Sequence, residues 1–103
     1  MNLQRVKRQR GGRTFTIYAS YANLVEVLGD PKNVNRYTEK IDVQWDVKDV
    51  DTGQTLSVWN YKNGPNYLGE NGTPPEEIAK WSAGGDAKIA KELGLKIELL
   101  CCN

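Results

Sequence analysis

The sequence predicts a small α+β domain, in which an antiparallel sheet of about 3–5 strands packs against two short helices. Residues 40–48 alternate strictly between polar and apolar side chains, which is the pattern of a half-buried strand. The turn sequence at 51–54 separates this strand from a run rich in β-branched and aromatic residues at 55–61, so the two runs predict a hairpin. Two short segments with apolar residues at helical spacing complete the pattern.

Two elements are predicted before the hairpin. Residues 14–18 are β-branched and aromatic, which favours a short strand. A helix is predicted at about 21–28, because Ser20 can cap its first turn and Gly29 can end it in a left-handed conformation. Leu24 and Leu28 would then share the face that packs on the sheet.

The hairpin itself gives each strand two distinct faces. The apolar face of the first strand holds Ile41, Val43, Trp45 and Val47. We expect Trp45 to be part of the core and the opposite, polar face to be solvated. In the second strand Leu56 and Val58 share one face, whereas the other face holds Ser57, Trp59 and Tyr61 and should be less buried.

The elements after the hairpin begin with a loop rich in Gly, Asn and Pro at 62–75, which is longer than the usual 4–6 or so residues and is therefore typical of a functional loop. One helical turn is predicted at about 76–80 and a short strand at 80–83. A short amphipathic helix is predicted at 87–93. Residues 95–100 alternate enough to form a last strand, with a helical continuation as the alternative.

The composition excludes several classes of enzyme. The chain has 103 residues and no His, so the commonest general base, the usual partner in nucleophilic triads and the commonest zinc ligand are missing. The cysteines, Cys101 and Cys102, are too few for a structural zinc site and fit a reducing compartment. We therefore expect a protein without catalytic activity, cofactor or metal.

The charge is divided unevenly along the chain. Residues 1–13 contain no acidic residue, and their basic residues are Arg5, Lys7, Arg8, Arg10 and Arg13. The remaining residues, 14–103, are net acidic. We expect residues 1–13 to be a flexible basic arm and residues 14–103 to be a single α+β domain. The arm could contact nucleic acid, and the alternatives are a solvated tail or part of a first strand.

The location of the protein is predicted from its lack of apolar segments. The first residues contain no apolar stretch of the kind found in a secretion signal, and no stretch approaches about 18 apolar residues. We expect a cytoplasmic protein with no membrane partner.

An acidic cluster surrounds the hairpin. It consists of Glu39, Asp42, Asp46, Asp49 and Asp51. Carboxylates suit Mg²⁺ or Ca²⁺, but the ordered spacing of a calcium loop is absent and Asp42 and Asp46 fall on the polar strand face. The favoured interpretation is a solvated face rather than a metal site.

Candidate binding residues are the aromatic side chains near the long loop and a glycine pair. Trp59, Tyr61, Tyr67 and Trp81, together with Lys62, have the chemistry of interface anchors and of base-stacking platforms, although some of these rings must fill the core. Gly84 and Gly85 precede a helix and can expose backbone amides to a phosphate. The alternative is a tight turn in which Asp86 caps the helix and takes the anion position itself.

Three motifs together resemble a group of small, mostly uncharacterised bacteriophage proteins. The motifs are VQWDV, WNYKNGPNYLG and WSAGG followed by a short helix, and the resemblance covers about residues 20–93. It implies a small α+β phage domain with an accessory role during infection, such as countering host immunity. No catalytic residue can be transferred from it.

These observations lead to one expected function and two alternatives. The expected function is a non-catalytic phage protein in the infected cell that binds and occludes a host defence component, such as a nuclease or a CRISPR effector. The alternatives are a sponge for a nucleotide immune signal, held at the glycine pair and the aromatic rings, and a nucleic-acid-binding protein that uses the basic arm. An exposed strand edge at 55–61 or 95–100 could also pair two copies of the chain.

Overall fold

The computed structural model of the chain describes residues 1–7, 12–34 and 40–100, which form an antiparallel sheet of seven strands together with three α-helices. The strands are β1 (Leu3–Arg5), β2 (Phe15–Tyr18), β3 (Lys32–Asn33), β4 (Val43–Asp49), β5 (Thr55–Trp59), β6 (Lys80–Gly85) and β7 (Lys96–Leu99). The helices are α1 (Tyr21–Leu28), α2 (Pro65–Leu68) and α3 (Ala87–Glu92), with single 3-10 turns at Gly69–Asn71 and Pro75–Glu77. The order across the sheet is β1-β4-β5-β6-β2-β7, and β3 pairs with β4 next to β1.

The predicted α+β class is confirmed, but the predicted counts of strands and helices are wrong. The described residues contain seven strands where about 3–5 were expected, and three α-helices where two were expected. The additional strands β1 and β3 contain three and two residues, and the additional helix α2 contains four. Segments this short carry no periodic pattern of their own, so distant pairing rather than local sequence determines them.

One face of the sheet carries the hydrophobic core. The strand register places Trp45 beside Val58, Val58 beside Ala83, and Ala83 beside Phe15, so apolar residues of four strands form a continuous layer. Helices α1 and α3 cover this layer, and their Leu24 and Ile89 side chains are fully or almost fully buried in it.

Two tryptophans of this face fix the position of α1. Trp45 and Trp81 meet edge to face with ring centroids 5.3 Å apart. The Trp45 indole N–H donates to the carbonyl oxygen of Gly29 at 2.7 Å, and that of Trp81 donates to Ala19 at 2.9 Å. The two rings therefore hold both ends of α1, which itself begins with Ser20 Oγ accepting the amide of residue 23, as a helix cap does.

The opposite face of the sheet is polar and, unexpectedly, partly buried. Gln44, Asp46 and Ser57 are all less than a tenth exposed. The Asp46 carboxylate accepts hydrogen bonds from Gln44 Nε2 at 3.0 Å and from Ser57 Oγ at 2.7 Å. The expectation of a solvated polar face is therefore wrong at Asp46, and these hydrogen bonds compensate its burial.

The N-terminal segment lies against two strands of the sheet. The amide of Val6 donates to the carbonyl oxygen of Asp46 at 3.1 Å, and a Cβ added to Gly84 would lie 2.9 Å from the carbonyl oxygen of Gly12. Residues 6 and 12 thus lie against β4 and β6, and only a glycine at position 84 permits this close approach.

The prediction of a flexible arm over residues 1–13 is wrong for its first part. Leu3–Arg5 is strand β1, and it pairs with residues 47–49 of β4. The edge of β4 would otherwise expose backbone donors and acceptors, which explains why a polar segment without a clear strand pattern joins the sheet. Arg8 and Arg10 lie outside the described residues.

The remaining elements follow the predicted order with shifted ends. Helix α1 has the predicted bounds, the residue 95–100 region forms a strand rather than a helical continuation, and the helical turn near Glu76 begins one residue earlier than expected. No helix within the described ranges is long and apolar enough to cross a membrane.

Candidate binding surface

The long loop after β5 is held by a buried asparagine. Asn60 is fully buried, and its Oδ1 accepts the backbone amides of Asp42 at 2.8 Å and Val43 at 3.0 Å. Its Nδ2 donates to Asp42 Oδ1 at 2.9 Å and to Asn63 Oδ1 at 3.1 Å. All the hydrogen-bonding capacity of this amide is therefore used to join the loop to the start of β4.

A second asparagine continues the network from the other side of the loop. The backbone amide of Asn66 donates to Asp42 Oδ2 at 3.0 Å, so both carboxylate oxygens of Asp42 are hydrogen-bonded. The Asn66 side chain donates to the carbonyl oxygens of Ile41, at 3.0 Å, and Val34. Asp42 thus organises the loop, which is a different role from the solvated strand position predicted for it.

Two glycines allow the loop to pack this closely. A Cβ at Gly64 would lie 2.0 Å from Asp42 Oδ1, and a Cβ at Gly72 would lie 2.3 Å from the backbone of Gly64. The loop closes with a hydrogen bond from the amide of Thr73 to the carbonyl oxygen of Asn63 at 2.7 Å. The NGPN and NGT sequences are therefore packing requirements of a rigid loop.

The outer surface of this loop presents aromatic rings around a cation. Tyr61 is 48% exposed and Tyr67 is 47% exposed. The Nζ of Lys62 lies 5.3 Å from the ring centroid of Tyr61 and 5.7 Å from that of Tyr67, within the range of cation–π contacts. Leu68, which is 42% exposed, adds an apolar side chain. We call Tyr61, Lys62, Tyr67 and Leu68 the tyrosine–lysine surface.

The backbone at Lys62 is unusual. Lys62 has a φ of 59°, which makes it the only non-glycine residue with a positive φ among the described positions. Its amide donates to the carbonyl oxygen of Lys40 at 2.8 Å, which holds this left-handed conformation. A long side chain in a conformation that favours glycine or asparagine is a local strain, and such strain is concentrated at functional sites.

Two predicted binding aromatics lie elsewhere. Trp81 is 1% exposed in the core, so a partner cannot reach its ring and its predicted binding role is wrong. Trp59 is half-buried on the polar face of the sheet, opposite Gln44 and Ser82. Its ring lies beside Gly84, where an added Cβ would be 3.6 Å from Trp59 Cη2. The alternation within β5 does place Trp59 on the less buried face, but it gives no information on its distance from the loop.

The glycine pair does not form the predicted phosphate site. Gly84 and Gly85 are the end of β6, and the amide of the following Asp86 donates to the carbonyl oxygen of Thr55 at 2.8 Å. The Asp86 carboxylate accepts the amide of Lys88 at 2.9 Å and so takes the anion position, as in the alternative interpretation. Gly85 has a φ of 90°, and a Cβ there would lie 2.3 Å from the Thr55 oxygen, so its role is close strand packing.

The described basic residues of the N-terminal segment, Arg5, Lys7 and Arg13, lie in different surroundings. Arg5 lies in β1, and its guanidinium donates to the carbonyl oxygen of Asp30. Lys7 is also engaged with other groups, whereas Arg13 is exposed just before β2. A small cavity of about 170 Å³ lies at the outer edge of β4, beside Arg5 and Asp30, and is smaller than the roughly 300–1,000 Å³ of typical ligand sites.

The described acidic residues are not arranged as a metal site. No group of three or more His, Cys, Asp or Glu side chains in the described ranges is placed to hold a metal ion. Asp49, like Asp42, supports the backbone instead, because it accepts the amide of Asp51 at 3.0 Å. Glu39 lies outside the described residues.

The comparisons with known proteins were negative. No protein-family model matches the chain, and no curated protein is significantly similar to it. The interpretation of the surface therefore depends on its own chemistry.

Proposed function

We propose that this chain is a non-catalytic binding protein that uses the tyrosine–lysine surface to occlude a surface of a partner protein. The observation that carries the proposal is the combination of exposed tyrosines with a rigidly held loop. The class of partner follows from the resemblance to phage proteins: a bacterial defence component, such as a nuclease or a CRISPR effector.

The rigidity of the loop supports binding. Ordering a flexible loop on association opposes binding, whereas a loop already held by the Asp42–Asn60–Asn66 network avoids most of that entropic cost. The positive φ of Lys62 supports the same interpretation, because strained backbone conformations are concentrated at functional sites.

The side chains support a protein partner. Tyrosine contributes a large contact area with few rotatable bonds and is enriched among the residues that dominate binding energy. Leu68 adds an apolar contact, and the Lys62 ammonium between the two rings favours a partner with a carboxylate at the matching position. The expected docking site is thus an apolar cleft with an acidic group beside it.

The experiment compares a loop variant with a matched surface variant. The loop variant is Tyr61→Ala with Tyr67→Ala, and the control is Val50→Ala, which removes a 44% exposed side chain from the β4–β5 turn. Purified nucleases and CRISPR effectors of a defence-bearing host are assayed for activity with each protein. We expect at least one effector to be inhibited by wild type and control, and at least tenfold weaker inhibition by the loop variant, which corresponds to about 1.4 kcal/mol.

A Lys62→Asn variant separates the effect of the Lys62 charge from that of the backbone conformation at this position. Asparagine tolerates the left-handed conformation but removes the ammonium, so inhibition should weaken while the fold is retained. Equal inhibition by wild type and the loop variant, or inhibition of none of the effectors, would contradict the proposal. A thermal shift with cyclic or linear nucleotides would favour the sponge instead, since a ligand at 100 times its Kd adds about 2.7 kcal/mol.

A further inference from the structure

The outer edge of β7 is an open edge of the sheet. β7 is the last strand in the sheet order and pairs with β2, and no other strand of the described ranges pairs with it. Leu99 is 58% exposed there. The other edge expected from the sequence, at 55–61, is not open, because β5 lies between β4 and β6.

The backbone groups that face this edge can be assigned from the pairing with β2. The amide of Leu100 donates to the carbonyl oxygen of Thr14 at 3.2 Å, so the even-numbered residues direct their backbone groups toward β2. The odd-numbered residues Ile97 and Leu99 therefore direct their N–H and C=O groups outward. The amide of Leu95, just before β7, donates to Ala90 at 3.0 Å. If the alternation of β7 extends to this residue, its carbonyl also faces outward.

This edge is complementary to itself in one antiparallel register. With a two-fold axis at Ile97, each Ile97 exchanges both of its backbone hydrogen bonds with the same residue of the second copy. Each Leu99 amide then meets the Leu95 carbonyl of the second copy, and the exposed Leu99 side chain lies next to Leu95. On the polar face, Lys96 lies directly opposite Glu98 of the second copy, twice over.

The neighbouring registers lack this complementarity. Moving the axis to Glu98 places two carboxylates directly opposite each other, and moving it to Lys96 places two ammonium groups opposite each other. An axis placed between two residues would pair each odd-numbered residue with an even-numbered residue of the second copy. The apolar side chains of one copy would then lie on the same face of the sheet as the polar side chains of the other. In the complementary register Glu98 also remains close to the Tyr18 hydroxyl, which donates to it at 3.3 Å.

We propose that a second copy of this chain pairs with β7 in this register, so that two seven-stranded sheets join into one continuous sheet. The proposal is independent of the function of the tyrosine–lysine surface. The expected partner of this edge is a second copy of the chain, because the charged and apolar residues of β7 are arranged to be complementary to themselves. An edge that binds a different protein does not need this self-complementarity.

The experiment uses charge reversal on the full chain. Lys96→Glu alone places carboxylates opposite each other in a homodimer, and Glu98→Lys alone places ammonium groups opposite each other. A mixture of these two variants restores two opposite-charge pairs in the heterodimer. Analytical ultracentrifugation is performed on each protein and on the equimolar mixture, and circular dichroism verifies that each variant is folded.

We expect wild type to sediment as a dimer, each single variant to dimerise at least tenfold more weakly, and the mixture to recover dimers. Lys88→Glu and Glu92→Lys are the controls, because they make the same charge changes on the exposed side of α3 and should leave dimerisation unchanged. Leu99→Pro removes an outward-facing donor from the edge and should also weaken the dimer.

Two results would overturn the proposal. One is a wild-type protein that remains monomeric up to millimolar concentration. The other is a dimer that the single variants leave intact or that their mixture fails to restore, because either outcome would place the interface outside β7. A loss of dimers caused merely by misfolding cannot produce recovery in the mixture.

Discussion

Replacing Asn60 with alanine tests whether the buried amide holds the loop and the start of β4 together. The change removes the acceptor of the Asp42 and Val43 amides and the donor to Asp42 and Asn63. Each buried group left without a partner costs about 1–3 kcal/mol, so the two amides alone give a loss of about 2–6 kcal/mol. This is a large part of the 5–15 kcal/mol or so that stabilises a typical domain.

The matched variant is Asn63→Ala. Asn63 is half-buried and accepts a hydrogen bond from Asn60. Its loss leaves one N–H of the buried Asn60 amide without a partner, which should cost about 1–3 kcal/mol, about half of the loss expected from the two amides in Asn60→Ala. Urea unfolding followed by circular dichroism measures both variants, and the midpoint should fall clearly further for Asn60→Ala at an unchanged slope. The reasoning is refuted if the two variants differ by less than about 1 kcal/mol.

Three further predictions concern other parts of the fold. Gly85→Ala should destabilise the protein by at least about 2 kcal/mol in urea unfolding, because its φ of 90° and the 2.3 Å approach to a carbonyl oxygen leave no room for a Cβ; a loss under about 0.5 kcal/mol would contradict this. Trp45→Phe should cost about 2–3 kcal/mol, because it breaks the bond to the Gly29 carbonyl and reduces the core volume, and a thermal melt unchanged from wild type would refute it. Partial burial, and to a smaller extent the neighbouring Glu98 carboxylate, raises the pKa of Tyr18. The folded state therefore holds the hydroxyl proton more tightly than the unfolded state, and the free energy of unfolding should fall as the pH rises through the pKa of the folded state. Glu98→Gln should lower that pKa in an ultraviolet titration, with Tyr18→Phe assigning the signal, and an unchanged titration would show that Glu98 does not contribute.

The parts of the fold that sequence patterns predicted are those with a local signal. The alternation around Trp45 and the capping residues Ser20 and Gly29 act within a few residues. Helix α1 has the predicted bounds, and the hairpin forms as predicted with shifted strand ends, at 43–49 instead of 40–48 and at 55–59 instead of 55–61. The burial of Asp46 was not predictable in this way, because its carboxylate is hydrogen-bonded to Ser57, eleven residues away on the neighbouring strand.

The candidate surface was found only in part for a similar reason. Its tyrosines were predicted from residue type. The same criterion also predicted a binding role for Trp81, which is buried in the core. The two groups differ in burial, since Tyr61 and Tyr67 are exposed on a loop whose asparagines are hydrogen-bonded to the start of β4, whereas Trp81 is in the core. The NxxNGPN sequence spacing is the signal that could have indicated these hydrogen bonds, since buried amides are favoured where a loop has few backbone partners.

The position of β1 also changes how a nucleic-acid role can be tested. Removing residues 1–12 would delete a strand that pairs with β4 and would leave that strand edge without its backbone partners, so a loss of binding after truncation would report on folding as well as on contacts. Substituting exposed Arg13 with Gln leaves β1 and its pairing in place. If the segment binds phosphates, this variant should reduce the salt dependence of binding by about one phosphate contact at unchanged stability. If Arg13 does not contact nucleic acid, the variant and wild type should bind nucleic acid with the same affinity and the same salt dependence.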